Sequence, residues 1–323
     1  MSITTPALLA IRHSLKKYLA DLSPSENILV GCSGGADSLA LTYALHKESA
    51  ALKFNLIPVI VDHGLQAGSA DVAERTKQKL RSWGIEEIFS ARAQVTLTDG
   101  LEASARRARY QIFHQAIDTF PTQKFFLAHT QNDQAESVLL GLARGSGTKS
   151  LSGMADINGA FIRPLLNISR TLTEAACNEV GIEFWIDPHN SNEEFTRVRV
   201  RKNILPLMER ELGPGIIEAL AKSARILRED AQALDDWASQ INDLAIEELA
   251  ALPKAVRARV LRRVIYEAGA PSGSLSAEDI EPVEALISNW HGQGEVSLPG
   301  GVKVARISGR LSLSTHPKGE PWT

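Results

Sequence analysis

Short, unbroken apolar runs alternate along the first two-thirds of the chain with longer stretches whose apolar residues recur every three or four positions. Residues 27–32, 56–61 and 124–128 read as buried strands, and 88–91 and 161–165 are weaker candidates. Between them the spacing predicts helices over 69–83, 101–118, 132–144 and 169–180, two of them stopped by Gly84 and Gly181. Strands alternating with helices specify βαβ units. The expected fold class is therefore α/β, a parallel twisted sheet with helices on both faces. Pro58 cannot donate to a ladder, so an edge position or a bulge is expected there.

The pattern changes near Pro206. Residues 216–237 and 256–268 are helical in period, and after Pro271 a polar link and one more short helix lead to Gly294. Residues 295–298, 302–305 and 310–313 then alternate like strands, with turns at Pro299-Gly300-Gly301 and Ser308-Gly309. This predicts a first domain over 1–210 and a smaller, mostly helical one over 211–323 that carries short C-terminal strands. The length of 323 residues suits two domains. A net charge of −3 excludes a protein basic all over, so any nucleic-acid contact needs a local patch. Two cysteines, Cys32 and Cys177, cannot build a cysteine-only zinc site or a cysteine-ligated cluster. The first residues lack the pattern of a signal peptide and no apolar run reaches about 18 residues, so no membrane contact and a cytoplasmic setting are expected.

The most specific chemistry lies in Gly31-Cys32-Ser33-Gly34-Gly35-Ala36-Asp37-Ser38, directly after the first strand and at the head of a helix. Adjacent Gly34 and Gly35 let the backbone turn sharply. The amides through Ala36, the Ser33 and Ser38 hydroxyls and the helix N-terminus then aim donors at one anion. Asp37 would repel a phosphate unless a cation stood between them, which suggests magnesium. A loop that merely caps a helix is the bland alternative. No Walker A motif competes, because Thr148 stands where that motif needs glycine.

Other candidates are weaker on pattern alone. Asp62 and His63 follow the second strand, where a parallel sheet binds ligands; a capped turn is the alternative. Arg106 and Arg109 share a helix face with Glu102, as a solvated charged face would. Asp133 and Glu136 share a face in a first helical turn; they suit a capping box, or a buried pair holding magnesium or an ammonium group. Arg197, Arg199, Arg201 and Lys202 concentrate positive charge, as does the helix carrying Arg259 and Arg263.

The Ser-Gly-Gly-x-Asp-Ser string resembles the PP-loop ATP pyrophosphatases, which implies an adenine nucleotide alpha hydrolase-like fold and cleavage of ATP between its α and β phosphates. Val61-Asp62-His63-Gly64-Leu65, Glu102-Ala103-Ser104-Ala105-Arg106, Arg144-Gly145-Ser146-Gly147, Asp187-Pro188-His189-Asn190 and Arg197-Val198-Arg199-Val200-Arg201 extend this. In this order they resemble the tRNA(Ile)-lysidine synthetase family, strongly over residues 25–210. The family's usual Asp-Asp-Gln-x-Glu-Thr has become Asn132-Asp133-Gln134-Ala135-Glu136-Ser137, which moves catalytic weight to Asp133 and Glu136.

The resemblance implies a reaction. The wobble cytidine of a CAU anticodon in tRNA(Ile) attacks the α-phosphorus of ATP through its C2 oxygen, and pyrophosphate leaves. The ε-amine of free L-lysine then attacks C2 and expels AMP, giving lysidine. Residues 33–38, Asp62 and His63 would hold ATP, with magnesium on Asp37 and Asp133. Asp37, Asp133, Glu136 and His63 are the catalytic candidates, and Asp133 with Glu136 would take the lysine ammonium. Arg106, Arg109, Arg144, Arg197, Arg199, Arg201, Lys202, Arg259 and Arg263 are the tRNA candidates. The oligomeric state stays open, with a homodimer as one option. An NAD synthetase-like amide ligase, a tRNA thiolase and an inactive ATP-binding module are the alternatives; a thiolase would need nearby cysteines, which this chain lacks.

Overall fold

The computed structural model describes residues 5–62, 64, 68–96, 100–145, 147–187 and 192–315. The chain divides into two compact units, Met1–Arg228 and Glu229–Thr323. Unit one contains α1 (Pro6–Leu19), β1 (Asn27–Gly31), α2 (Ala36–Leu52), β2 (Asn55–Asp62), α3 (Ser69–Ser82), β3 (Phe89–Arg92), α4 (Leu101–Thr119), β4 (Phe125–Phe126) and α5 (Gln131–Ala143). It continues through α6 (Thr148–Leu151), β5 (Ile157–Asn158), β6 (Phe161–Ile162), α7 (Arg170–Glu179), α8 (Thr196–Arg199), which widens into a π turn over Val200–Ile204, and α9 (Leu205–Glu211). Helix α10 (Ile216–Ser239) holds the division. Unit two adds α11 (Ile246–Ala251), α12 (Lys254–Glu267), α13 (Ala277–Ser288) and the strands β7 (Val296–Ser297), β8 (Val302–Ile307) and β9 (Arg310–Thr315).

The first unit is the expected helix-covered α/β sheet. Its six strands run in the order β3-β2-β1-β4-β6-β5, all parallel except β5. Alternation along β1 sends Ile28 and Val30 to one layer, with α1, α2 and α7, and Leu29 to the other, with α4. Strand β4 is only two residues long, yet Phe125 and Phe126 are both fully buried, one in each layer. The residue that follows β4 leads straight into the turn that starts α5, so these two rings help fix the far wall of the site.

Pro58 lies in an interior strand, which corrects the edge or bulge expected for it. The Cys32 amide donates to Val59 O at 2.9 Å and the Ala93 amide to Asp62 O at 2.7 Å. Alternation therefore turns the nitrogen of Pro58 toward β3, and that ladder begins only at Val59. The missing donor costs no hydrogen bond.

In the second unit, Leu249, Val256, Val260, Leu261, Ile265, Val283 and Val302 form a separate, solvent-free core. The expected division at 210/211 lies before the one found, at 228/229. Residues 200–220 pack through Val200, Leu205, Ile217 and Leu220 onto Ala135, Leu139 and Leu140 of α5, so their apolar contacts belong to the first unit. No described helix is long and apolar enough to cross a membrane.

Replacing Phe125 by Ala is expected to destabilise unit one by about 3–5 kcal/mol through a cavity beneath the site. Urea unfolding followed by circular dichroism would read this as a lower midpoint at unchanged slope.

Candidate active site

The loop between β1 and α2 is shaped by two constraints. Gly34 has φ +83°, and a Cβ there would sit 2.5 Å from Thr76 Oγ1 of α3, so only glycine fits. Ser38 Oγ accepts from the Ser33 amide at 3.1 Å and donates to Gly35 O at 2.9 Å, which closes the loop on itself. The Gly34 carbonyl is taken by the Trp185 amide at 2.9 Å. Helix α2 has Gly35 at its N-cap and no side-chain cap, so no side chain competes for its first-turn amides. Those amides, with the positive end of the helix, form an anion seat.

This loop lines a cavity of about 640 Å³ together with Val59 to Asp62, Arg109, His129, Asp133, Arg170 and Arg201. The strand ends of β1, β2 and β4 open onto it, where a parallel sheet places its ligands. Asp62 Oδ1 accepts from the Gly64 amide at 2.9 Å, and its other oxygen faces Arg92 at 4.0 Å.

Opposite the loop stands a balanced charge cluster. Arg170, the first residue of α7, reaches Asp37 at 3.4 Å, Asp133 at 3.0 Å and Glu136 at 3.7 Å. Arg201 grips Glu136 with two bonds, 2.6 and 3.1 Å long, and lies 3.6 Å from Asp133. Arg197 approaches Glu136 at 3.3 Å and donates to Ser137 Oγ at 3.0 Å. Three carboxylates thus face three guanidinium groups. Thr173 Oγ1 donates to the other Asp37 oxygen, and the Arg170 amide donates to Asn132 Oδ1 at 2.9 Å. Asn132 is therefore a neutral tie between α5 and α7.

The environment tunes each group differently. Burial pushes the Asp37 carboxyl above its ordinary range, and Arg170 and Thr173 only partly counter this. Burial also acts upward on Asp133, but Arg170, His129, the Thr130 amide and Arg201 together hold it below the ordinary value. Arg170 is raised: burial opposes its charge, and Asp133, Asp37 and Glu136 outweigh that. His129 is lowered to about 4, by burial first, with Arg163 and Arg109 adding to the shift and Asp133 opposing it. It is a neutral imidazole at physiological pH. Its buried Nδ1 has no hydrogen-bond partner among the described residues.

Two family matches cover most of the chain: residues 8–208 match the PP-loop domain and 244–312 the TilS substrate binding domain. The tRNA(Ile)-lysidine synthase of Thermobifida fusca is 42% identical over 322 residues, covering 97% of this chain and 99% of that protein. This chain belongs to the tRNA(Ile)-lysidine synthase family. The Streptomyces coelicolor member is 46% identical over 297 residues, covering 88% of this chain and 84% of its own. The U34-tRNA thiolase of Methanococcus maripaludis is 18% identical with a TM-score of 0.57, over 69% of this chain and 80% of its own. That likeness is one of fold alone.

Within this tRNA(Ile)-lysidine synthase family member, the expected site residues lie in different surroundings. Glu136 is fully buried, and its carboxylate meets Arg170, Arg197 and Arg201. Asp133 does line the cavity. Its Oδ2 takes the Thr130 amide and hydroxyl, at 2.8 and 3.0 Å, and its Oδ1 faces two arginines. Asp37 does fit a hard cation: it is an oxygen donor about a quarter exposed to the cavity, beside the anion seat. Among the described residues no group of three or more potential ligands converges, so such an ion would complete its shell with phosphate oxygens and water.

Of the arginines expected to meet tRNA, Arg197, Arg201, Arg259 and Arg263 are engaged in contacts within the chain, while Arg199 is exposed. Arg197 and Arg201 build the charge cluster, and Arg199 clasps the carbonyls of Glu193 and Glu194 at 2.7 and 2.9 Å. In α12, Arg259 pairs with Asp235 at 2.7 Å and Arg263 donates to Ile241 O, while Arg257 is buried against Glu284. Arg259 and Arg263 keep about a quarter of their side chains exposed beside these contacts. Arg106, Arg144 and Lys202 are exposed, and Arg106 lies 5.0 Å over the Tyr110 ring. Arg109 lines the cavity. His63, Leu65, Ser146 and residues 188–190 lie outside the described residues.

Arg170, Thr173 and His129 were not singled out from sequence. Arg170 had a readable signal: a cation in the first turn opposes the helix dipole, so it needs carboxylates elsewhere. Cys177 is buried against Ala36 O at 3.4 Å, its thiol pushed up to about 12 by burial, as suits an inert packing residue.

Glu136→Gln is expected to cost about 3–5 kcal/mol, because Arg197 and Arg201 would lose their buried counter-charge; the denaturation midpoint measures it. Acid should expose the His129 imidazole separately. Its folded value lies below the ordinary 6.5, so unfolding binds protons and stability falls as pH drops from 6.5 toward about 4. Asp37, raised in the folded state, acts in the opposite sense at the acid end. The wild-type curve minus that of His129→Asn should isolate the imidazole, and parallel curves would remove this account of its environment.

Proposed function

We propose that this chain uses ATP to join free lysine to C2 of the wobble cytidine in tRNA(Ile) with a CAU anticodon, releasing AMP and pyrophosphate. One observation carries the reading: a PP-loop domain and a TilS substrate binding domain stand in one chain, in the order and over nearly the full length found in relatives named for that activity. The setting we infer is the cytoplasm.

The residues divide the work by charge. The amides at the head of α2, with Ser33, receive the two phosphates that depart, where negative charge builds up. Arg170 stands beside Asp37 and reaches across the cavity wall, so it is placed to follow charge onto the phosphates. A magnesium ion held by Asp37 would supply further neutralisation of the pyrophosphate. The cytidine oxygen bonds to the α-phosphorus as the bond to pyrophosphate breaks. The lysine amine next bonds to C2 as the bond from C2 to the AMP oxygen breaks, and the protons that the amine loses pass to solvent in the open cavity. The cavity wall carries Asp37, Asp62, Asp133, Glu174 and Asp187 against Arg109, Arg170 and Arg201, an acidic balance that suits the lysine ammonium group. His129 contributes an uncharged acceptor on the cavity wall, which can face a nitrogen-bound hydrogen without repelling it. Asp133 holds Arg170 and Arg201 in place and is a positioning residue.

The anticodon base must leave its stack to enter such a cavity, which a single-stranded loop permits. Exposed Arg106, Arg144 and Lys202, with Arg109 at the cavity, are the phosphate contacts we assign.

Purified protein with ATP, magnesium, labelled lysine and a tRNA(Ile) transcript bearing CAU should incorporate label, while a methionine tRNA should not. Asp37→Ala and Arg170→Ala should each lower the rate by about 100-fold or more. Adenylation of a carboxylic acid without RNA would instead favour an amide ligase.

A further inference from the structure

We propose that Trp290, backed by Arg306, is a stacking platform for an unpaired base of the RNA substrate. This rests on the tRNA reading above and assigns to it a specific contact in the second unit.

Trp290 follows the C-terminal end of α13 and is 40% exposed, and it belongs to no core cluster. A half-exposed Trp offers an apolar body and a flat π-face, which is why the residue is enriched at binding surfaces. The loop that carries it is nevertheless fixed. The Gln293 side chain donates to Asn289 O at 3.0 Å and to Ala285 O at 3.3 Å, and accepts from the His291 amide at 2.8 Å. The His291 ring lies 3.1 Å from Asn289 O. The ring is therefore presented on a pre-organised turn.

The guanidinium of Arg306 lies 5.2 Å from the Trp290 ring centre. Its Nη1 donates to Leu286 O in the last turn of α13 at 3.1 Å, which fixes the group in place. Among the described residues Arg306 has no carboxylate partner, unlike Arg257, Arg259, Arg263 and Arg310 of the same unit. It is thus an uncompensated cation beside an exposed ring. A polyanion with flat, unstacked bases complements both features: a base adds to the ring as a third layer, and a neighbouring phosphate meets the guanidinium. An acidic protein surface would satisfy only the charge.

The test measures binding of fluorescently labelled tRNA(Ile) transcript to the full chain, wild type, Trp290→Phe, Trp290→Leu and Arg306→Gln. Phenylalanine keeps a flat π-face and leucine keeps only apolar bulk. The expected result is near-wild-type affinity for Trp290→Phe and about a tenfold loss for Trp290→Leu. Arg306→Gln should lower the slope of log affinity against log salt by about one. Equal affinity for the leucine and phenylalanine variants would overturn the platform, and tRNA(Ile) modification by the wild type would leave the enzymatic reading standing. Failure of the wild type to bind or modify tRNA(Ile) would overturn both.

Discussion

The site depends on a charge balance built where water is largely excluded. Asp37, Asp133 and Glu136 face Arg170, Arg197 and Arg201, and each group alone would be costly to bury. Together they join four separated segments: the head of α2, the first turns of α5, the head of α7 and the α8 stretch. Glu136 lies at the bottom of this cluster and takes no part at its surface. The positive field at the anion seat comes from the helix dipole and the first-turn amides.

The nucleotide loop shows why some chemistry is readable in one dimension. Its requirements are local: a positive φ at Gly34, a close approach to Thr76, and a hydroxyl at Ser38 three residues past the N-cap. Each forces a residue type at a fixed spacing, so the string carries its own geometry. The order of strands and helices was legible for the same reason, since a buried strand and an amphipathic helix leave different periods. The N-terminal helix α1 carries the same trace, with Leu8, Ile11, Leu15 and Leu19 on one face.

Charge partners are less legible because a guanidinium does not reveal which way it points. Arg197, Arg199 and Arg201 looked like one basic strip when taken at alternate positions. In the helical conformation found, 197 and 201 fall on one face and meet Glu136, while 199 turns outward to the Glu193 and Glu194 carbonyls. Reading those residues at helical spacing would have separated them. Arg257, Arg259 and Arg263 in α12 differ, since nothing local foretells Glu284, Asp235 or Ile241 as their partners. Their engagement is a tertiary fact.

That distinction bears on how an acidic chain can handle RNA. Counting arginines overstates the positive charge available, because the buried ones are already neutralised by carboxylates. The charge that a polyanion can meet lies instead on side chains whose partners are carbonyls or rings, such as Arg106 over Tyr110. A carbonyl or a ring orients a guanidinium without cancelling its charge, so the cation stays fixed and effective. Carboxylate partners hold the catalytic cavity together, whereas dipolar and aromatic partners keep charge on display. The two kinds of arginine are separated by what they touch, and this lets a chain of net charge −3 keep basic points of contact beside an ion-paired site.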